Sequence, residues 1–150
     1  MKSKRTIFEK IGEKLRLERI ATEIRNMSMD NITKTKSGHT GGSLSVTDIL
    51  TALYFGRIYD PRERRLENVL NYNACDPLWE GRDRVLMSKG HAAPALYATL
   101  ARAGFFDCQV LKIYRKIDSP LEGHPAMFQV LGDGNERGTP GVDFSTGSLG

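Results

Sequence analysis

Three histidines occur in the 150 residues, and each follows a glycine: Gly38-His39, Gly90-His91 and Gly123-His124. With 15 glycines in the chain, three such pairings would arise by chance in about one chain in a thousand of this composition. Imidazole donates hydrogen bonds and exchanges protons near neutral pH, and a preceding glycine lets the backbone turn sharply or come close to a ligand. All three pairs fall in turn-like or glycine-rich sequence rather than on an apolar face. Histidines raised on turns can polarise a carbonyl or carry a proton between oxygens. Singly, each is compatible with plain capping or packing; together they point to one shared polar site. A zinc centre is the rival use of three histidines. It would need a close pair such as His-x-x-x-His or a neighbouring cysteine, and Cys75 and Cys108 stand in no such spacing.

The second chemical signal is the stretch Arg82 to Leu100, centred on Ser88-Lys89-Gly90-His91. Val85-Leu86-Met87 is a short apolar run predicted to be a buried strand, and Ala92 to Leu100 is rich in helix formers. A strand running through such a turn into a helix aims backbone N–H groups and the positive helix end at one spot, where a phosphate would sit. The plainer alternative is an ordinary strand–turn–helix junction in which His91 caps or packs.

Other elements must position these residues. Ile7, Ile11, Leu15, Ile20, Ile24 and Met27 recur at helical spacing, so a long first helix is predicted, fading near Lys36-Ser37-Gly38. Glu9 and Glu13 beside Lys10 and Lys14 mark a solvated face rather than a nucleic-acid surface. Ser37 to Ser43 holds three glycines and reads as a loop. A second helix is predicted from an N-cap at Ser45, with Asp48 in its first turn, an apolar face of Ile49, Leu50, Leu53 and Tyr54, and a stop at Gly56. Residues 57–83 read as a connection whose Arg62–Arg65 charge run is solvated and whose Trp79 seats it on the body of the domain. Asp107 to Ile117 is a short helix with Val110, Leu111 and Tyr114 inward, and glycine and proline make 119–141 mostly loop. One strand cannot form a sheet, so the chain reads as the first part of a larger domain.

Composition limits the class. A hydrophobic fraction of 39% with 27% charged residues is that of a folded, water-soluble chain, and no apolar run reaches transmembrane length. The basic start carries Glu9, Glu13 and Glu18 and is no secretory signal. Cysteine usage suits a reducing cytoplasm. A net charge of +4 is a weak pointer to acidic ligands.

Ser37-Gly38-His39-x-Gly-Gly-Ser43, Arg82-Asp83-Arg84 leading to Ser88-Lys89-Gly90-His91-Ala92, Gly123-His124-Pro125, and Pro140-Gly141-Val142 leading to Ser145-Thr146-Gly147-Ser148-Leu149-Gly150 stand in the order found in transketolases. The chain resembles most closely the N-terminal, thiamine-diphosphate-binding subunit of the split bacterial and archaeal enzymes, over nearly its whole length. The resemblance implies an α/β, thiamine-diphosphate-binding fold, a parallel sheet flanked by helices, of which residues 1–150 are the N-terminal part. It implies that His39 lies beside the substrate, that His91 approaches the cofactor diphosphate and the substrate, and that His124 holds hydroxyls of the donor sugar. The backbone of Gly147, Ser148 and Leu149 would meet the cofactor. Thiamine diphosphate supplies the carbanion chemistry that moves a two-carbon ketol group from a ketose phosphate to an aldose phosphate. The implied partners are sugar phosphates and a C-terminal, pyrimidine-binding transketolase subunit in a homo- or hetero-oligomer, with no nucleic acid and no membrane.

Two departures qualify the resemblance. Thr40 stands where many members have proline, a mark of subtype. The family's magnesium motif, Gly-Asp-Gly followed well downstream by Asn, comes after the Ser-Thr-Gly segment; Gly132-Asp133-Gly134 comes before it and reads as a turn. No metal ligand is therefore assigned here, the Mg2+ ligands are expected outside the chain, and the chain alone is expected to be inactive. The alternatives are a non-catalytic remnant or binding subunit, or a related enzyme such as a deoxyxylulose-phosphate synthase, whose turn does not read Ser-Lys-Gly-His-Ala.

Overall fold

The structure, a computed structural model, describes residues 3–63, 65–132 and 134–143, with side chains from Glu9 onward. Its centre is a helix, α3 (Ala93–Ala103), in which residues 93 to 101 are all buried. A helix apolar on every side has to be wrapped, and this one is wrapped on three. Ala98 lies against Ile20 and Ile24 of α1 (Ser3–Thr35). Leu96 and Leu100 meet Leu50 and Tyr54 of α2 (Thr40–Phe55), together with Val142. Tyr97 and Ala101 meet Leu111, Tyr114 and Leu121 from the chain that follows. The alanines on α3 let its neighbours approach closely, and three of the hydroxyls buried at these seams are satisfied within their own helices, whereas those of Ser43 and Thr51 find no partner among the described residues. Ser28, Thr47 and Thr99 each donate to the carbonyl four residues earlier, at 2.7, 2.9 and 2.7 Å.

Among the described side chains of the first half of α1, Ile11 and Leu15 are 50% and 59% exposed, and the predicted apolar stripe becomes buried at Ile20. Lower on the same helix, the Arg16 guanidinium reaches the Phe55 carbonyl, where the C-terminus of α2 favours a cation. A pair with Glu13 holds that carboxyl below its usual range.

Several expectations need correction. The second helix starts at Thr40, not at Ser45, and His39 is its N-cap; the double glycine belongs to its first turn. Ser45 instead accepts a hydrogen bond from Lys89 Nζ at 2.9 Å. Ile49, placed on the apolar face, is exposed. The predicted connection contains an antiparallel hairpin, β1 (Arg57–Asp60) and β2 (Arg65–Asn68). A second hairpin, β3 (Gln129–Val130) and β4 (Glu136–Arg137), lies in the glycine-rich loop. Val85-Leu86-Met87 is in no sheet, because no described strand runs beside it to complete a ladder. Its burial still alternates, Val85 and Met87 half-buried and Leu86 exposed, as in an edge facing one side. Trp79 does not seat the 69–83 loop; it is 39% exposed and its indole lies over Gly81 of its own turn. Leu70 and Tyr72 do the seating, Tyr72 stacked on Phe105 with ring centroids 5.4 Å apart. The helix expected over 107–117 is a shorter 3₁₀ segment, Cys108–Ile113, capped by Asp107.

Burial raises the phenol pKa of Tyr54, Tyr72, Tyr97 and Tyr114 above the ordinary value. Each is then held neutral in the folded state, so its contribution is fully present below about pH 10 and is lost as pH rises through the folded values. Tyrosinate absorbance at these four positions is therefore expected to rise together with the loss of helical circular dichroism. Ionisation well before the helical signal falls would contradict the burial argument.

Candidate active-site cleft

The three glycine–histidine pairs come from three separate elements and converge. His39 sits at the head of α2 with extended backbone (φ −103°, ψ 102°) and no side-chain capping bond, so its imidazole is free of the role that N-cap residues usually play. Gly38 makes this possible. Its φ of +123° is outside the range of other residues, and a Cβ there would lie 2.8 Å from Ile32 and 3.1 Å from Pro94. His91 stands in the 3₁₀ turn Gly90–Ala92 that leads into α3. Its ring packs over Gly42 so closely that a Cβ at 42 would be 3.0 Å from Cδ2 and 3.2 Å from Nε2. Glycine at 42 is thus an imidazole seat, which gives the density of glycine after Ser37 a specific purpose. The rings of His39 and His91 meet edge to face, centroids 5.2 Å apart and planes at 73°.

His124 comes from a third element, the loop pinned by the buried side chains of Leu121 and Pro125. Gly38, His39, His91, Tyr114, Arg115, Gly123 and His124 line one cleft of about 90 Å³. A cleft of this size holds only a few waters. All three imidazoles are exposed, and none hydrogen-bonds to another described residue. Hydrogen bonding within the described protein does not account for them.

The donor set is imidazole, guanidinium and phenol. Burial pushes the Tyr114 phenol up, against a smaller opposing pull from Arg115. Among the described residues no carboxylate lines the cleft, and no group of three or more His, Cys, Asp or Glu could hold a metal ion. Such a wall suits a ligand rich in phosphate and hydroxyl oxygens. Its chemistry therefore fits a diphosphate cofactor and a sugar.

Gly147, Ser148 and Leu149 lie outside the described residues, as does Asp133. Around Asp133 the chain turns, with Gly134 N–H donating to the Leu131 carbonyl and Leu131 N–H to the Asn135 carbonyl, both at 2.8 Å. The approach to residues 144–150 is fixed by Asp143, which accepts from Arg82 Nε at 3.0 Å and Nη2 at 2.6 Å.

Two cleft residues carry no local sequence signal, Tyr114 and Arg115. Arg115 has a left-handed backbone (φ 56°), a conformation costing about 1 kcal/mol for a residue with a side chain. Only the folded structure reveals it.

Two of the three imidazoles stand where a helix begins, His39 at the head of α2 and His91 in the turn before α3. Comparison with known proteins identifies the family. Residues 17–150 match the family described as "Transketolase, thiamine diphosphate binding domain". A 6-deoxy-6-sulfo-D-fructose transketolase subunit, SqwG, from Clostridium sp. (strain MSTE9) is 38% identical over 138 residues, 92% of this chain and 42% of that protein. Transketolase 2 of Escherichia coli (strain K12) is 34% identical over 132 residues, 87% of this chain and 17% of that protein. The solved transketolase from Leishmania mexicana superposes with a TM-score of 0.71 at 33% identity, covering 89% of this chain and 17% of that one. The chain belongs to the transketolase thiamine-diphosphate-binding domain family, and it spans less than half the length of these relatives. The α/β fold class read from the motifs is that of the family. No described helix is long and apolar enough to cross a membrane.

Proposed function

We propose that this chain forms the cofactor-side wall of a transketolase and takes part, with a pyrimidine-binding partner, in transferring a two-carbon ketol group between sugar phosphates. The observation that carries the reading is the convergence of His39, His91 and His124 on one open cleft with no carboxylate among its described lining residues. In this reading His91, seated on Gly42, faces the diphosphate. His39 faces the reacting carbonyl of the sugar, where it donates a hydrogen bond or moves a proton. His124 holds donor hydroxyls from across the cleft. Thiamine diphosphate, when bound, supplies the carbanion that the protein itself lacks. Gly147, Ser148 and Leu149 are proposed to meet the cofactor through their backbone, and Mg2+ ligands to come from outside residues 1–150. Residues 1–150 are read as the N-terminal part of the diphosphate-binding domain, working in the cytoplasm within an oligomer.

The sulfo-sugar relative is itself a transketolase subunit, and its match favours a split arrangement for this chain too. It also leaves the donor's anionic tail open between phosphate and sulfonate. The test is to combine the chain with a pyrimidine-binding transketolase subunit, thiamine diphosphate and Mg2+, and to follow ketose formation from a donor ketose phosphate and an aldose phosphate. Transfer that needs both polypeptides is the expected result. Calorimetric binding of cofactor without transfer would favour a binding subunit, and absence of both would overturn the catalytic reading.

A further inference from the structure

We propose that Lys89 is a positioning residue for His91, latching the turn that carries this imidazole to the start of α2 and so fixing the ring over Gly42. This inference rests on the role given above for His91. Lys89 is half-buried and is the N-cap of the 3₁₀ turn Gly90–Ala92. Its Nζ donates to Ser45 Oγ at 2.9 Å, across 44 positions of sequence. The Ser45 hydroxyl in turn donates to the Gly42 carbonyl at 3.1 Å. A hydroxyl has one proton to give and two lone pairs with which to accept, so both bonds hold at once. Further along the turn the His91 ring lies on Gly42 itself, where an added Cβ would stand 3.0 Å from Cδ2. The turn therefore meets α2 at Gly42 and at Ser45, positions that share one face of a helix. Lysine, serine, glycine and imidazole close a loop of contacts.

That loop supplies what the turn lacks by itself. Among the described residues the His91 ring makes no hydrogen bond. The backbone bonds of its turn, Gly90 N–H to the Ser88 carbonyl and Ala92 N–H to the Lys89 carbonyl, are both 3.0 Å long and both local. They set the shape of the turn but not its distance from α2. The Lys89 bond sets that distance, and being charge-assisted it is stronger than a neutral one. Through His91 it also bears on His39, whose ring meets that of His91 at a centroid distance of 5.2 Å. A displacement of about 1 Å at a group facing a reacting ligand can cost about a hundredfold in rate. The latch can thus matter far more to chemistry than to stability.

An ammonium can also act on a ligand by charge alone, and the experiment separates the two roles by removing each end of the latch. Wild type, Lys89→Met, Ser45→Ala, the double variant and Lys89→Arg are compared. Ser45→Ala breaks the latch and leaves the charge. In the chain alone, with labelled histidines, the nuclear Overhauser contact between the His39 and His91 rings is expected to weaken about threefold or more in both single variants. The double variant is expected to be no worse, Lys89→Arg to keep the contact, and the His124 signals to stay in place. Melting temperatures are expected within about 3 °C of wild type, as for an exposed contact. In the assembly with a pyrimidine-binding transketolase subunit, thiamine diphosphate and Mg2+, kcat for two-carbon transfer is expected to fall about tenfold in both single variants. KM is expected to stay within about twofold, and Lys89→Arg to restore kcat. A ring contact unchanged in every variant overturns the proposal. So does a loss confined to Lys89→Met with Ser45→Ala like wild type, which would assign lysine a role by charge. Coupled loss of the ring contact in a chain that shows no transfer leaves the latch standing and removes the transferase reading. Transfer that survives loss of the ring contact does the reverse.

Discussion

Replacing His39, His91 or His124 singly by alanine is expected to lower kcat/KM for two-carbon transfer about hundredfold or more, with the melting temperature within about 2 °C of wild type. The separation of the two effects follows from the environment of the rings. All three imidazoles are exposed and without hydrogen bonds to described residues, so their removal leaves no cavity and no orphaned polar group, the usual sources of large stability losses. His39 in particular heads α2 without capping it through its side chain. Because the three line one cleft, with the rings of His39 and His91 5.2 Å apart, their effects should not add. A His39→Ala, His91→Ala double variant is expected to fall short of the product of the single losses. A drop of several degrees in melting temperature with any of the three would return that histidine to a structural role.

Arg82→Ala is expected to have the largest effect on stability, about 3 kcal/mol in urea unfolding. The Arg82 and Asp143 side chains are only 13% and 10% exposed, and two guanidinium nitrogens converge on one carboxylate oxygen. Arg82 Nη1 also donates to the Trp79 carbonyl at 2.7 Å. One side chain therefore closes the 79–82 turn and holds the strip entering residues 144–150. Truncating it leaves the Asp143 charge buried without a partner. Arg82→Met with Asp143→Leu removes both charges and should recover much of the loss, since a matched apolar pair has nothing left to desolvate. A single variant costing under about 1 kcal/mol would show that water already screens the pair.

What the sequence made legible was local. A glycine–histidine pair names a turn and a side chain at once, so the shared site could be anticipated from three dipeptides, and the ordered motifs carried the family. The start of α2 was hidden because Gly41 and Gly42 read as loop. A helix's first turn tolerates glycine, and here His91 needs the space. The hairpin of β1 and β2 escaped because Ile58, Tyr59 and Leu66 are exposed, which breaks the apolar alternation that marks a half-buried strand. Val85-Leu86-Met87 has the composition of a strand without a described neighbour, and pairing is a property of two segments. Arg115 was invisible for a stronger reason. Its place in the cleft rests on a positive φ and on contacts with Ser37 and Gly123, 78 and 8 positions away, and no local pattern encodes either.

Imidazole proton NMR with isotope label in this chain alone tests the central claim most directly, because the chain has three histidines and therefore three labelled Cε1–H signals to follow. The protein is assembled with a pyrimidine-binding transketolase subunit and titrated with thiamine diphosphate and Mg2+, then with a donor ketose phosphate. A single ligand site predicts that His39 and His91 signals move together with cofactor and that His124 follows when the sugar is added. Three signals unmoved at saturating cofactor and sugar would show that the histidine cleft is not where this domain meets its ligands.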